Sequence, residues 1–139
     1  MTERTLVFVK PDGVQRNLTG EIIGRFERSG MKIIALKMMT MSREFAEKHY
    51  EAHRGKPFYS ELIKHITSGP IIAMVLEGEN AIKQVRGIMG ATSPADAEPG
   101  TIRGDLGIAT ELNLVHGSDS AEAAQAEIAH FFTEDELAE

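Results

Sequence analysis

Apolar residues recur along the chain in two rhythms, one near two residues and one near four, and the alternation between them predicts the order of elements. Thr5 to Lys10 is a β-branched run that reads as a strand, cut off by the abrupt turn Pro11-Asp12-Gly13. Thr19, with Ile22, Ile23 and Phe26, predicts an amphipathic helix capped by Thr19 and stopped at Ser29-Gly30. Lys32 to Met41 is the next strand. Ser42 then caps a helix whose stripe is Phe45, Ala46, His49 and Tyr50, which turns Tyr50 inward. After Gly55-Lys56-Pro57, Phe58, Leu62 and Ile66 stand four apart on a short helix, so Phe58 and Leu62 can form one apolar surface. Ile71 to Glu77, an apolar run between Gly-Pro and Gly, is predicted to be the central strand. The helix from Glu79 to Met89 turns Ala81, Ile82, Val85 and Met89 inward and leaves Arg86 beside that stripe.

Gly90 to Gly104 contains Pro94 and Pro99 and little periodicity, so it is predicted to be a long loop, a length that usually signals function or disorder. Ala109 to Val115 reads as a half-buried final strand. Asp119 with Glu122 reads as a capping box opening the last helix, Ser120 to Phe132, with Ala124, Ile128, Phe131 and Phe132 inward and Glu127 at their border. Glu134 to Glu139 is expected to be a solvated, frayed tail. A strand-helix-strand unit thus occurs twice. That order predicts an α/β fold, a ferredoxin-like α/β sandwich with helices covering one face of a mostly antiparallel four-stranded sheet. The 139 residues suit one domain, 1–139, able to bury roughly 68% of its unfolded surface.

Composition narrows the function. Hydrophobic residues at 42% and charged residues at 26% are the balance of a globular protein rather than a disordered one. Absence of cysteine excludes disulfides, thiolate metal sites and a cysteine nucleophile together. The start, Met1-Thr2-Glu3-Arg4-Thr5, lacks the features of a secretory signal, and no apolar run approaches the roughly 18 residues of a membrane span, so a cytoplasmic protein without a membrane partner is expected. A net charge of −6 and the lack of a basic stripe argue against nucleic acid as a specific partner. Any phosphate site must be locally basic.

The segment Asn113-Leu114-Val115-His116-Gly117-Ser118-Asp119 carries the sharpest chemical signal, because it sets a histidine where a strand is predicted to end and a capped helix to begin. Helix starts attract phosphate, and Gly117 is expected to leave room beside the ring. Taken singly, such a histidine is better explained by core packing. Lys10 before a turn, Arg86 near a helix stripe and Arg103 in Thr101-Ile102-Arg103-Gly104-Asp105 are the candidate cations, Arg103 foremost because its planar fork can grip phosphate. Neither a P-loop nor a dinucleotide-binding glycine turn occurs. His49 and His53 have the spacing of zinc ligands but no third ligand in sequence, so packing for His49 and solvation for His53 are preferred. A serine hydrolase finds no Gly-x-Ser-x-Gly.

The His116 heptapeptide, with Thr101 to Asp105 upstream and Val9-Lys10-Pro11-Asp12-Gly13 near the start, resembles the nucleoside diphosphate kinase family over essentially the whole chain. The resemblance implies the same ferredoxin-like fold. It also implies transfer of the γ-phosphate of a nucleoside triphosphate to a nucleoside diphosphate, ping-pong, through a phosphohistidine at His116 formed on Nδ1. Lys10 and Asn113 would then meet sugar hydroxyls and phosphates, Arg86, Thr92 and Arg103 the β and γ phosphates, and Phe58, helped by Leu62, the base. Tyr50, Ser118 and Glu127 would surround the imidazole, and Asp119 would lie near the Mg²⁺ that travels with the nucleotide. Free imidazole has a pKa near 6.5 and is a ready nucleophile at neutral pH, so Glu127 need only orient it. Stacking on Phe58 predicts low base specificity. The family pattern implies a homo-oligomer, hexamer or tetramer. The alternatives are a non-catalytic nucleotide-binding module and a histidine phosphocarrier for a protein partner.

Overall fold

A computed structural model describes residues 2–110 and 112–138. Strands β1 (Thr2–Val9), β2 (Lys32–Met39), β3 (Ile71–Glu79) and β4 (Val115–Gly117) form one sheet in the order β2-β3-β1-β4, and every neighbouring pair is antiparallel. Helices α1 (Pro11–Gln15), α2 (Thr19–Arg28), α3 (Arg43–His49), α4 (Tyr59–Ile66), α5 (Ala81–Met89), α6 (Ile102–Leu106) and α7 (Ala121–Phe131) connect and cover it. This is the ferredoxin-like arrangement, with β3 and β1 central.

Helices cover both faces of the sheet, not one as the element order suggested. Leu6, Val7, Phe8 and Val9 are all fully buried, so alternation along β1 sends apolar side chains to both sides and each side needs its own cover. Leu6 and Phe8 join a core closed by Ala46 and Tyr50, by Ile63 and Ile66 of α4, and by Phe131 of α7. Val7 and Val9 join another closed by Ile22 and Phe26 of α2, Val85 and Met89 of α5, and Ile102 of α6.

Several local expectations are corrected. The turn after Lys10 is the helix α1, with Pro11 at its first position, where a missing N–H costs nothing. Leu18, not Thr19, occupies the cap of α2. The segment from Gly90 to Gly104 is not wholly irregular: it holds a 3₁₀ turn at Pro94–Asp96 and the start of α6, capped by Thr101, whose Oγ1 accepts from Gly104 N–H at 3.0 Å. Five-residue helices are too short to leave a periodic trace. The last helix is capped by Ser120, whose Oγ accepts from Ala123 N–H at 3.1 Å, rather than by Asp119.

The final strand lies later than predicted. Ala109 and Leu112 form only an isolated bridge, and pairing with β1 begins at Val115, opposite Val9. Between them Leu114 has φ of 77°, and Val115 N–H donates to Asn113 C=O at 2.9 Å, closing a three-residue γ-turn. The supposed frayed tail is held down as far as Ala138: Thr133 and Glu136 form a capping box, Glu136 pairs with Lys37 at 3.0 Å, and Ala138 N–H donates to Ile34 C=O at 2.7 Å. Glu139 lies outside the described residues. Among those residues no helix is long and apolar enough to cross a membrane.

Candidate active site

His116 sits in the middle of β4, directly opposite Phe8. Alternation aims its side chain at the α3 and α7 face, where it stacks on Phe8 with ring centroids 4.8 Å apart and meets the His49 ring edge-on at 4.8 Å. Gly117 points the other way. A Cβ there would come 2.9 Å from Met89 Sδ and 3.1 Å from Val85 Cγ1, so this glycine admits α5 and is not the space for an incoming group that the sequence suggested.

Glu127, two turns into α7, places Oε1 3.0 Å from His116 Nε2, and Ser118 Oγ donates to the same oxygen at 2.7 Å. Burial raises the Glu127 pKa, but the bonds from His116 and Ser118 outweigh it and hold the carboxyl below its usual value. With Nε2 occupied, Nδ1 is the ring nitrogen that Glu127 does not engage. Tyr50 is buried as expected, and burial, then Glu127, pushes its hydroxyl well above the ordinary range. Its ring meets His49 at 4.5 Å; the α3 ring packed on His116 is that of His49. Burial, then the charge His116 can carry, pushes His49 down to about 3, so it is a neutral neighbour.

The cations converge from three elements. Lys10 caps α1 and donates Nζ to Asn113 Oδ1 at 2.8 Å, while Asn113 Nδ2 holds Thr92 C=O at 2.9 Å. Arg103, buried on α6 rather than in a loop, donates Nε to Asn113 C=O at 3.3 Å, Nη1 to Gly90 C=O at 3.1 Å and Nη2 to Val115 C=O at 2.7 Å. Arg86 on α5 is exposed and reaches Gly117 C=O at 3.4 Å. Burial and Arg103 push Lys10 down to about 8, and burial and Arg86 push Arg103 down to about 10. Cations that disfavour one another in this way form a ready site for a polyanion.

Phe58 lies at the start of α4, half exposed, and Leu62 follows one turn on, half-buried. Thr92 is exposed in the loop after α5. Asp119 is exposed and lines a cleft with Asn80, Lys83 and Arg86. Among the described residues, the cluster with metal-ligand spacing is His49, His116 and Glu127, whose donor atoms lie within 4.8 Å of one another. His53 turns instead toward Phe58, 5.5 Å between ring centroids, and is not among the donors of that cluster. A nitrogen-rich set does not suit hard Mg²⁺, which prefers oxygen and keeps much of its water. The exposed Asp119 carboxylate does suit an ion arriving already bound to phosphates.

Sequence reasoning missed His49 as a neighbour of His116, and it gave no role to Asp12 or His65. The stripe that predicted His49 to be inward was the available signal; which ring it would meet was not.

An α/β sandwich that gathers cations beside a carboxylate-oriented histidine has the layout of a protein that handles phosphate-bearing ligands. A family model described as nucleoside diphosphate kinase matches residues 3–137. Curated proteins called nucleoside diphosphate kinase are 61% identical over 135 residues in Archaeoglobus fulgidus, covering 97% of this chain and 89% of that one, and 58% identical over 137 residues in Halalkalibacterium halodurans, covering 99% and 93%. A halophilic nucleoside diphosphate kinase from Halobacterium salinarum, solved in complex with CDP, superposes with a TM-score of 0.97 at 52% identity over 100% of this chain and 93% of that one. The Aquifex aeolicus enzyme gives 0.95 at 43% identity over 99% of each chain. The chain belongs to the nucleoside diphosphate kinase family. It is a phosphotransferase acting on nucleotides.

Proposed function

We propose that the chain moves the γ-phosphate of a nucleoside triphosphate to a nucleoside diphosphate in a ping-pong cycle carried by His116. The observation that carries this is the occupation of Nε2 by Glu127, which leaves Nδ1 as the nucleophile on a ring already fixed by Phe8 and His49. The Nδ1 lone pair attacks the γ-phosphorus, the bond to the β–γ bridging oxygen breaks, and the diphosphate leaves with that electron pair. A terminal oxygen of the second diphosphate then attacks the same phosphorus, and the N–P bond breaks. Positioning and charge stabilisation supply most of the rate in such a transfer.

Lys10, Arg86 and Arg103 offset charge on the transferring oxygens, and Thr92 in the loop after α5 and Asn113 in the γ-turn, joined by a hydrogen bond, hold the phosphate and sugar. Glu127 keeps the Nε2–H oriented as charge develops on the ring; Ser118 holds Glu127. Tyr50 closes the buried side of the site. Mg²⁺ bound to the nucleotide would neutralise phosphate charge, with Asp119 the nearby carboxylate.

Base tolerance follows from the half-exposed Phe58 ring, which offers a π face to any base; its described neighbours are His53 and Lys56. The relative from Halobacterium salinarum accommodates a pyrimidine nucleotide, CDP. Purine and pyrimidine diphosphates should therefore be turned over similarly. Exposed Leu36 and Met38 on the edge strand β2 are consistent with a homo-oligomer, hexamer or tetramer, which light scattering would decide, and the cytoplasm is the expected location.

Labelled ATP tests the reading. An acid-labile, base-stable label should appear on wild type but not on His116→Ala, and any nucleoside diphosphate should remove it within a turnover. A label that leaves only with a protein acceptor would establish a phosphocarrier instead.

A further inference from the structure

Asp12 is a buried carboxylate for which the transfer chemistry has no use. It lies on α1, two residues after Lys10, and its two oxygens face different parts of the protein. Oδ2 accepts from Leu114 N–H at 3.2 Å, and Oδ1 meets His65 Nε2 at 3.2 Å. Leu114 is the centre of the γ-turn whose first residue, Asn113, holds Lys10, and whose last, Val115, opens the strand that carries His116. His65 is on α4, three residues beyond Leu62 and on the helix whose N-cap is Phe58. One side chain therefore ties the phosphate end of the site to its base end.

We propose that Asp12 and His65 are positioning residues that set the distance between the base platform on α4 and the cationic turn around Lys10 and Asn113. The proposal rests on the nucleotide kinase reading given above. A residue held at φ of 77° is strained and persists only where its surroundings over-determine it. Three contacts do so here. Leu114 C=O accepts from Lys10 N–H at 2.8 Å, its N–H is held by Asp12, and the γ-turn bond spans it. Gly13 permits the approach, since a Cβ there would lie 3.2 Å from Leu114 oxygen and 2.6 Å from Val9 Cγ1.

At the other end, α4 is anchored by Ile63 and Ile66 in the core. Apolar burial fixes how deep the helix sits but is non-directional, so it sets position along the sheet weakly. The His65 bond to Asp12 is directional and supplies that missing restraint. A ligand that touches both ends, such as a nucleoside diphosphate, gains from a span already set; a ligand that touches only the cations does not.

Calorimetry with Mg-ADP and, separately, with inorganic tripolyphosphate tests this on wild type, His65→Ala, His65→Gln and Asp12→Ala, with kcat and KM measured beside it. His65→Ala should weaken ADP by about five- to tenfold, the worth of one hydrogen bond, while tripolyphosphate binding stays put and the kinetic change falls in KM rather than kcat. His65→Gln, which can still donate to Asp12, should recover most of the loss. Asp12→Ala should weaken both ligands, because it also frees the γ-turn.

If His65→Ala binds ADP as wild type does, or if it weakens ADP and tripolyphosphate equally, the positioning role is overturned. The His65 variants decide the matter even should Asp12→Ala fail to fold. Wild-type protein that binds no ADP at all would instead sink the nucleotide kinase reading, so the two failures are distinct.

Discussion

Glu127 Oε1 lies 3.0 Å from His116 Nε2 and accepts Ser118 Oγ–H at 2.7 Å, so a single carboxylate oxygen orients the imidazole and is itself oriented by a buried hydroxyl. The consequence is a fixed ring plane and a fixed tautomer, with the proton on Nε2. Removing that orientation should slow transfer without weakening nucleotide binding. Glu127→Ala is expected to lower kcat by about ten- to a hundredfold at nearly unchanged KM, and Ser118→Ala by less than tenfold. Steady-state kinetics with one saturating nucleotide checks this; equal loss in KM would mean that the pair shapes the nucleotide pocket instead.

Lys10 is predicted to set the alkaline limb of activity. Burial and Arg103 push it down to about 8, so in the free enzyme it loses its charge as pH rises through about 8. The profile of kcat/KM reports groups in the free enzyme, and it should fall above that pH. Bound phosphate favours the charged amine, so kcat at saturation should fall later. A kcat/KM flat to pH 10 would show that Lys10 is not the cation the phosphates meet.

The acid side concerns stability through His49. It is held neutral in the fold, down to about 3, whereas the free side chain protonates near 6.5. Between those values the unfolded chain binds the proton and the folded chain does not, so the stabilisation is fully present above about 6.5 and declines as pH falls toward 3. His49→Phe keeps an aromatic ring against Phe8, His116 and Phe131 and removes the titration. Its urea midpoint should therefore change less across this window than that of wild type.

Arg103 should be as important to stability as to phosphate binding. Its Nε, Nη1 and Nη2 donate to the carbonyls of Asn113, Gly90 and Val115, joining the loop after α5 to the γ-turn and β4. Arg103→Met would leave those acceptors without this donor and is expected to cost about 2–4 kcal/mol in denaturant unfolding. A loss of activity at unchanged stability would assign Arg103 to the phosphates alone.

Local pattern carried much of the molecule. The apolar run from Ile71 to Leu76 read as a central strand, Ser42 with the Phe45 stripe placed α3, and the heptapeptide around His116 with the segments at Lys10 and Arg103 pointed, through resemblance to a known family, to phosphate on histidine. These depend on chemistry within a few residues, where side-chain period, caps and motif spacing act directly. Tertiary packing decided the rest. Whether β1 buries one face or two and where β4 begins depend on partners far along the chain, and Phe8 could not be known to lie beneath His116 until the register of β1 with β4 was fixed. The same holds for Asp12. A short polar side chain after a proline reads as a turn, and only the approach of Leu114 and His65, 102 and 53 residues away, makes its carboxylate a bridge between the two ends of the site.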